Sequence, residues 1–146
     1  SAEAHEVVGD EEEIANSVRN TLASPRIAMA TKQNSWREVW VAAEILDGME
    51  IEGSIDLIIQ NDDDTVTIVD YKTDQVTGEI LQERAKGYEP QLAGYALALE
   101  KLDMKVKEAV LVFATGGVDG MAFEYCVQDL EAVKTNVMRD ILVQYC

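Results

Sequence analysis

The sequence predicts an α/β (α+β) domain, a mixed β-sheet flanked by helices. Three observations carry this expectation. Between positions 36 and 72, three runs rich in β-branched and aromatic residues are separated by two compact polar turns, which reads as an antiparallel meander. A segment with apolar residues at helical spacing then precedes a short apolar run, Val110-Leu111-Val112-Phe113. A helix placed before a returning strand implies a mixed sheet covered by helices. A second amphipathic segment closes the chain, whose 146 residues suit one domain with a core of its own.

Residues 1–10 show no periodicity and are expected to be disordered, leaving a single domain over 11–146. Glu11-Glu12-Glu13 leads into Ile14, Val18, Leu22 and Ala23 at helical intervals. Acidic residues suit the positive end of a helix, and Ser24-Pro25 is expected to end it. Ile27-Ala28-Met29 reads as a further short turn. Trp36 to Ile45 is the first predicted strand, and Asp47-Gly48 signals a hairpin into the second, Ile51 to Gln60. Asn61-Asp62-Asp63-Asp64 makes the next turn, and Thr65 to Lys72 the third strand. Val76 to Gly87 reads as a polar connection with some helical content. Glu89-Pro90 is expected to start a helix, proline being suited to a first turn. Leu92, Tyr95, Ala96, Leu99 and Leu102 form its apolar face. After the loop around Gly116-Gly117 and Gly120, Met121 to Val127 is a predicted strand. Gln128 to Gln144 is a predicted helix burying Leu130, Val133, Val137, Ile141 and Leu142.

Composition excludes several classes of function. No apolar run approaches the roughly 20 residues that span a bilayer, so no membrane partner is expected. Two cysteines, Cys126 and Cys146, cannot supply four ligands to zinc or an iron–sulfur cluster, and free thiols point to a cytoplasmic setting. Twelve lysines and arginines against 28 acids give a net charge of −16. Such a surface repels nucleic acid, so any reading that involves DNA needs divalent cations and a basic partner domain to bring it in.

The candidate chemistry lies in Gly53-Ser54-Ile55-Asp56 and Asp70-Tyr71-Lys72-Thr73. A three-residue loop at Asp62–Asp64 would put Asn61 opposite Thr65, and therefore Asp56 opposite Asp70. Side chains alternate along a strand, so Lys72 shares the Asp70 face while Tyr71 points away. Like charges facing each other across strands are destabilising unless something neutralises them. A divalent cation would do so, and carboxylate and carbonyl oxygens suit magnesium, manganese or calcium. An amine beside such a pair can orient water, take its proton or neutralise developing charge. An Asp-x-Lys tripeptide on a solvated hairpin also suits an ordinary ion pair. Gln91 and Tyr95 share a helix face at i, i+4; alone this is the pattern of an ordinary half-buried face, and beside the carboxylates the pair can hydrogen-bond phosphates or fix a metal-bound water. Asp62-Asp63-Asp64 lacks the spacing of a calcium loop and reads as a solvated turn.

Taken together, Gly53-x-x-Asp56, Asp70-Tyr71-Lys72-Thr73, Gln91-x-x-x-Tyr95 and the strand Trp36-Arg37-Glu38-Val39-Trp40 resemble the PD-(D/E)XK nuclease superfamily. The resemblance is to its RecB-like domains, found in UvrD/RecB/AddA-type helicase–nucleases, and covers about residues 22–113. It implies a restriction-endonuclease-like sheet and a Mg2+ (or Mn2+) ion held by Asp56, Asp70 and the backbone carbonyl of Tyr71. It also implies a catalytic Lys72, with Gln91 and Tyr95 supporting the site or contacting DNA and Glu38 as a nearby acid. The expected function is a metal-dependent DNase, a single-strand exonuclease module working with helicase domains on the same polypeptide or on a partner subunit. The alternative is an inactive nuclease fold with a structural or protein-interaction role. The chain departs from the family at Ile55, where proline is common, and at its only histidine, His5, which lacks the family's helical context. The metal-binding histidine of the family is therefore expected upstream of Ser1.

Overall fold

The computed structural model describes residues 34–145. The expected helix over 11–23, the turn at 27–29, His5 and Cys146 lie outside the described residues. Five strands form one sheet in the order β1-β2-β3-β4-β5. They are β1 (Ser35–Leu46), β2 (Met49–Gln60), β3 (Val66–Lys72), β4 (Val106–Phe113) and β5 (Phe123–Cys126). Helix α1 (Gly78–Lys101) crosses between β3 and β4, and helix α2 (Leu130–Tyr145) follows β5. The first three strands are antiparallel neighbours, and β3 and β4 are parallel. This is the mixed sheet flanked by helices that the sequence predicts, and the crossover helix is what lets β4 run parallel to β3.

The turns set the register. Gly48 takes φ 79°, a left-handed conformation open to glycine, and closes the β1–β2 hairpin. The Asn61 amide donates to the Thr65 carbonyl at 2.8 Å, so Asp62, Asp63 and Asp64 are the three loop residues. The ladder that follows pairs Ile59 with Thr67 and Leu57 with Val69.

Helix α1 departs from the expectation. It begins at Gly78, before the expected start at Glu89-Pro90, and Pro90 lies inside it. The reason is burial: Leu81 and Ala85, in the expected polar connection, are almost fully buried against the sheet. Burying a leucine side chain contributes about 1.5–3 kcal/mol. Proline has no N–H, so the Lys86 carbonyl loses its helical donor; Lys86, Gly87 and Pro90 are exposed, where water can serve it. Two apolar positions also differ from expectation. Leu102 is exposed because the helix turns away there, with Asp103 at φ 63°. Leu142 is exposed near the end of α2.

The sheet has two buried faces. Ile55, Ile58, Ile68, Leu111 and Phe113 pack with Leu81, Leu92, Ala96 and Leu99 of α1. Leu57, Ile59, Val69, Val110 and Val112 form a second cluster on the opposite face. Ile55 and Leu57 belong to different clusters although they are two residues apart, so β2 changes phase at Asp56. In the same row of the sheet, Glu38 of β1 takes a left-handed φ of 51°.

Candidate active site

The β2–β3 ladder ends at Leu57 and Val69. Beyond it the next opposed positions are Asp56 and Asp70, as the turn geometry predicts. One Asp56 carboxylate oxygen accepts the Tyr71 backbone N–H at 2.8 Å. The side chain thus takes over where the backbone ladder stops and holds the two strand ends at a fixed spacing. Asp56 and Asp70 are each only 8% exposed. Burial pushes the Asp70 carboxyl up to about 7, and a hydrogen bond with Asp56 adds to the rise, against the lowering effect of Lys72. Burial beside a second carboxyl thus disfavours the charged form of Asp70, and a bound divalent cation would oppose that effect.

Lys72 reaches Asp70 at 2.8 Å and the Gln91 side-chain oxygen at 3.4 Å. Its ammonium also sits 3.9 Å from the centre of the Tyr88 ring. Tyr71 points to the opposite face, as predicted, where it packs against the second apolar cluster and its hydroxyl accepts from Arg37 at 3.3 Å. Tyr95 lies over the pair: burial raises its phenol first, the charges of Asp70 and Asp56 raise it further, and a hydrogen bond with Gln91 opposes them. The structure thus brings Asp56, Asp70, Lys72, Gln91 and Tyr95 together. Glu38 occupies the strand position opposite Asp56 but is exposed. Among the described residues, no group of three or more His, Cys, Asp or Glu side chains is placed to share a metal.

Gly53 has a role that spacing alone does not reveal. A Cβ there would lie 2.7 Å from the Tyr95 ring and 3.0 Å from its hydroxyl oxygen. The missing side chain is what allows the tyrosine to lie across β2 beside the carboxylates. Three further residues near the site are not signalled by any motif in the sequence: Asp74, Arg84 and Tyr88. Asp74 accepts from Arg84 at 2.7 Å and from the Tyr88 hydroxyl at 2.9 Å. Burial raises the Asp74 carboxyl, but these two bonds outweigh it and leave it below the usual range. Tyr88, Gln91 and Tyr95 fall on one face of α1, a pattern visible only once the helix is known to start before Pro90.

The donor set fits a small oxygen-loving cation. Two buried carboxylates meet at one strand end, where a cation would offset the burial that raises Asp70. Magnesium needs few protein ligands and keeps water and substrate oxygens for the rest.

Comparisons with known proteins bear on the family and the fold. A family model described as the PD-(D/E)XK nuclease superfamily matches residues 1–141. An ATP-dependent helicase/nuclease subunit from Carboxydothermus hydrogenoformans is 50% identical over 64 residues, covering 43% of this chain and 5% of its own length. Its namesake from Bacillus cytotoxicus is 42% identical over 77 residues, 45% of this chain and 6% of its own length. The matched segments therefore span only about one twentieth of the length of these curated relatives. A solved structure from Eubacterium rectale, provisionally named an exonuclease, aligns with 88% of this chain and 50% of its own at a TM-score of 0.51 and 19% identity, which shows a shared fold.

Proposed function

This chain belongs to the PD-(D/E)XK nuclease superfamily, and we propose that it is a magnesium- or manganese-dependent DNase that hydrolyses phosphodiesters of single-stranded DNA. The observation that carries the proposal is the buried Asp56–Asp70 pair at a splayed strand end with Lys72 2.8 Å from Asp70. Asp56, Asp70 and the Tyr71 carbonyl would hold the cation, which supplies Lewis acidity toward phosphate and a more acidic bound water. Lys72 neutralises charge developing on the phosphate and orients the attacking water, while Gln91 steadies the ammonium. Tyr95 closes the side of the site next to Gly53 and limits entry of bulk water.

The names of the relatives support a module that works beside helicase domains in DNA repair or recombination. Such a partner would also supply the positive surface that a chain of net charge −16 lacks. A cytoplasmic location follows from this reading. Among the described residues, no helix is long and apolar enough to cross a membrane.

The test is cleavage of labelled single-stranded DNA with magnesium or manganese. Chelation should abolish it, and Lys72→Ala should slow it by on the order of 10²–10³-fold, the size of a lost charge-stabilising group. Equal cutting after Lys72→Ala would refute the assignment. The lack of a third acidic or histidine ligand among the described residues favours one other reading, an inactive fold kept for structure or interaction. Calorimetric titration with manganese separates the two: heat from one saturable site supports the nuclease, and its absence supports the inactive fold.

A further inference from the structure

Lys72 is held from three directions, and the proposed chemistry accounts for two of them. Asp70 and Gln91 take hydrogen bonds, while the third side is closed by the face of Tyr88, 3.9 Å from the ring centre. A lysine turns about four side-chain bonds and a tyrosine about two, so a fixed ring can restrain a mobile ammonium. The ring is itself fixed. Its hydroxyl donates to an Asp74 oxygen at 2.9 Å, and Arg84 donates to that same oxygen at 2.7 Å. Asp74 stands two residues beyond Lys72 on the loop leaving β3, and Arg84 and Tyr88 are one turn apart on α1. The contacts form a closed circuit: strand, loop, carboxylate, ring, and back to the strand's own lysine.

We propose that Tyr88 is a positioning residue for Lys72, with Asp74 and Arg84 fixing the ring so that the ammonium stays aimed at Asp70. The proposal rests on the nuclease reading for its purpose, though not for the contact itself. An aromatic face suits the task because it attracts the cation without offering a base or a second anion. A carboxylate in that place would draw Lys72 away from Asp70. Tyr88 also lines an open cleft of about 370 Å³ with Ile80, Glu83, Arg84 and Gly87. Tyr88 is only half-buried and packs at the margin of the central core, so Tyr88→Phe, which keeps the ring, separates loss of packing from loss of the ring face.

The test is NMR of the chain labelled at lysine Cε, run beside single-strand cleavage kinetics. Protons above an aromatic face are shifted upfield. The Lys72 ε-methylene signals should stand upfield of the other lysines, return to the ordinary position in Tyr88→Leu, and stay upfield in Tyr88→Phe. Asp74→Ala should leave them between these limits. In cleavage, Tyr88→Leu should lower kcat by on the order of 10–100-fold, the cost of a small misplacement of a catalytic group, with KM nearly unchanged. Tyr88→Phe should recover most of that loss. Ordinary Lys72 shifts in the unaltered chain, or shifts insensitive to Tyr88→Leu, would overturn the proposal, as would an effect of Tyr88→Leu on KM alone. The spectrum judges the contact whether or not the chain cuts DNA, and cleavage by the unaltered chain judges the nuclease reading separately.

Discussion

Asp70→Asn should make the fold more stable at alkaline pH while destroying the site. In the folded chain, burial first and the Asp56 hydrogen bond second push the Asp70 carboxyl from 3.8 up to about 7. At about 1.36 kcal/mol for each tenfold change in proton affinity, that corresponds to a preference of about 4 kcal/mol for the neutral form. The unfolded chain loses this proton near its ordinary value. Between about pH 4 and pH 7 the folded state therefore binds more protons than the unfolded state, and stability falls as pH rises through that window. Below the window both states are protonated, and above it the full penalty is present. The asparagine variant has no such titration. Between pH 5 and pH 8 the unaltered chain should lose about 3 kcal/mol more unfolding free energy than Asp70→Asn does. Urea unfolding followed by circular dichroism across that range measures the difference. Magnesium or manganese at pH 8 should raise the urea midpoint of the unaltered chain, by linkage, and leave the variant's unchanged. Parallel pH profiles for the two proteins would show that folding does not raise the Asp70 carboxyl, and would remove the reason for a cation beside it.

Other perturbations test the surrounding structure. Gly53→Ala drives a methyl into the Tyr95 ring and should cost about 1–3 kcal/mol by overpacking, seen in urea unfolding; in a Tyr95→Ala background most of that cost should vanish. Pro90→Ala restores an N–H to an exposed stretch of α1 and should stabilise the fold by about 1–3 kcal/mol, read as a higher thermal midpoint. Lys134 is buried between helices, where its ammonium donates to Glu100 and to Glu131. Lys134→Ala should cost about 1–3 kcal/mol of unfolding free energy by losing these charged hydrogen bonds, and Glu131→Ala far less because Glu131 is exposed.

Much of the site is legible in the sequence because local rules fix it. A three-residue loop determines which residues face each other, and a period of two then places Lys72 beside Asp70 and Tyr71 behind them. The spacing of Gln91 and Tyr95 is independent of where the helix starts, because both lie after Pro90. The start itself is not legible, since a proline after a polar stretch is a strong local signal for a boundary. Burial of Leu81 and Ala85 against the sheet outweighs that signal, and only the packed structure contains it. The phase change at Asp56 is equally hidden: strict alternation would place Ile55 and Leu57 on one face, yet they pack in different clusters.

The sequence by itself determined the sheet meander, the pairing of the two aspartates and the lysine that joins them, because turns and strand periodicity act over a few residues. The tertiary structure decided what surrounds that centre. Tyr95 needs the bare backbone of Gly53, 42 residues earlier in the numbering. Tyr88 meets Lys72 only because α1 folds back along the strand it follows. The raised Asp70 carboxyl depends on burial, which no short stretch of sequence encodes. Contacts of this kind arise when apolar faces exclude water together, so they belong to the whole core and not to any one motif.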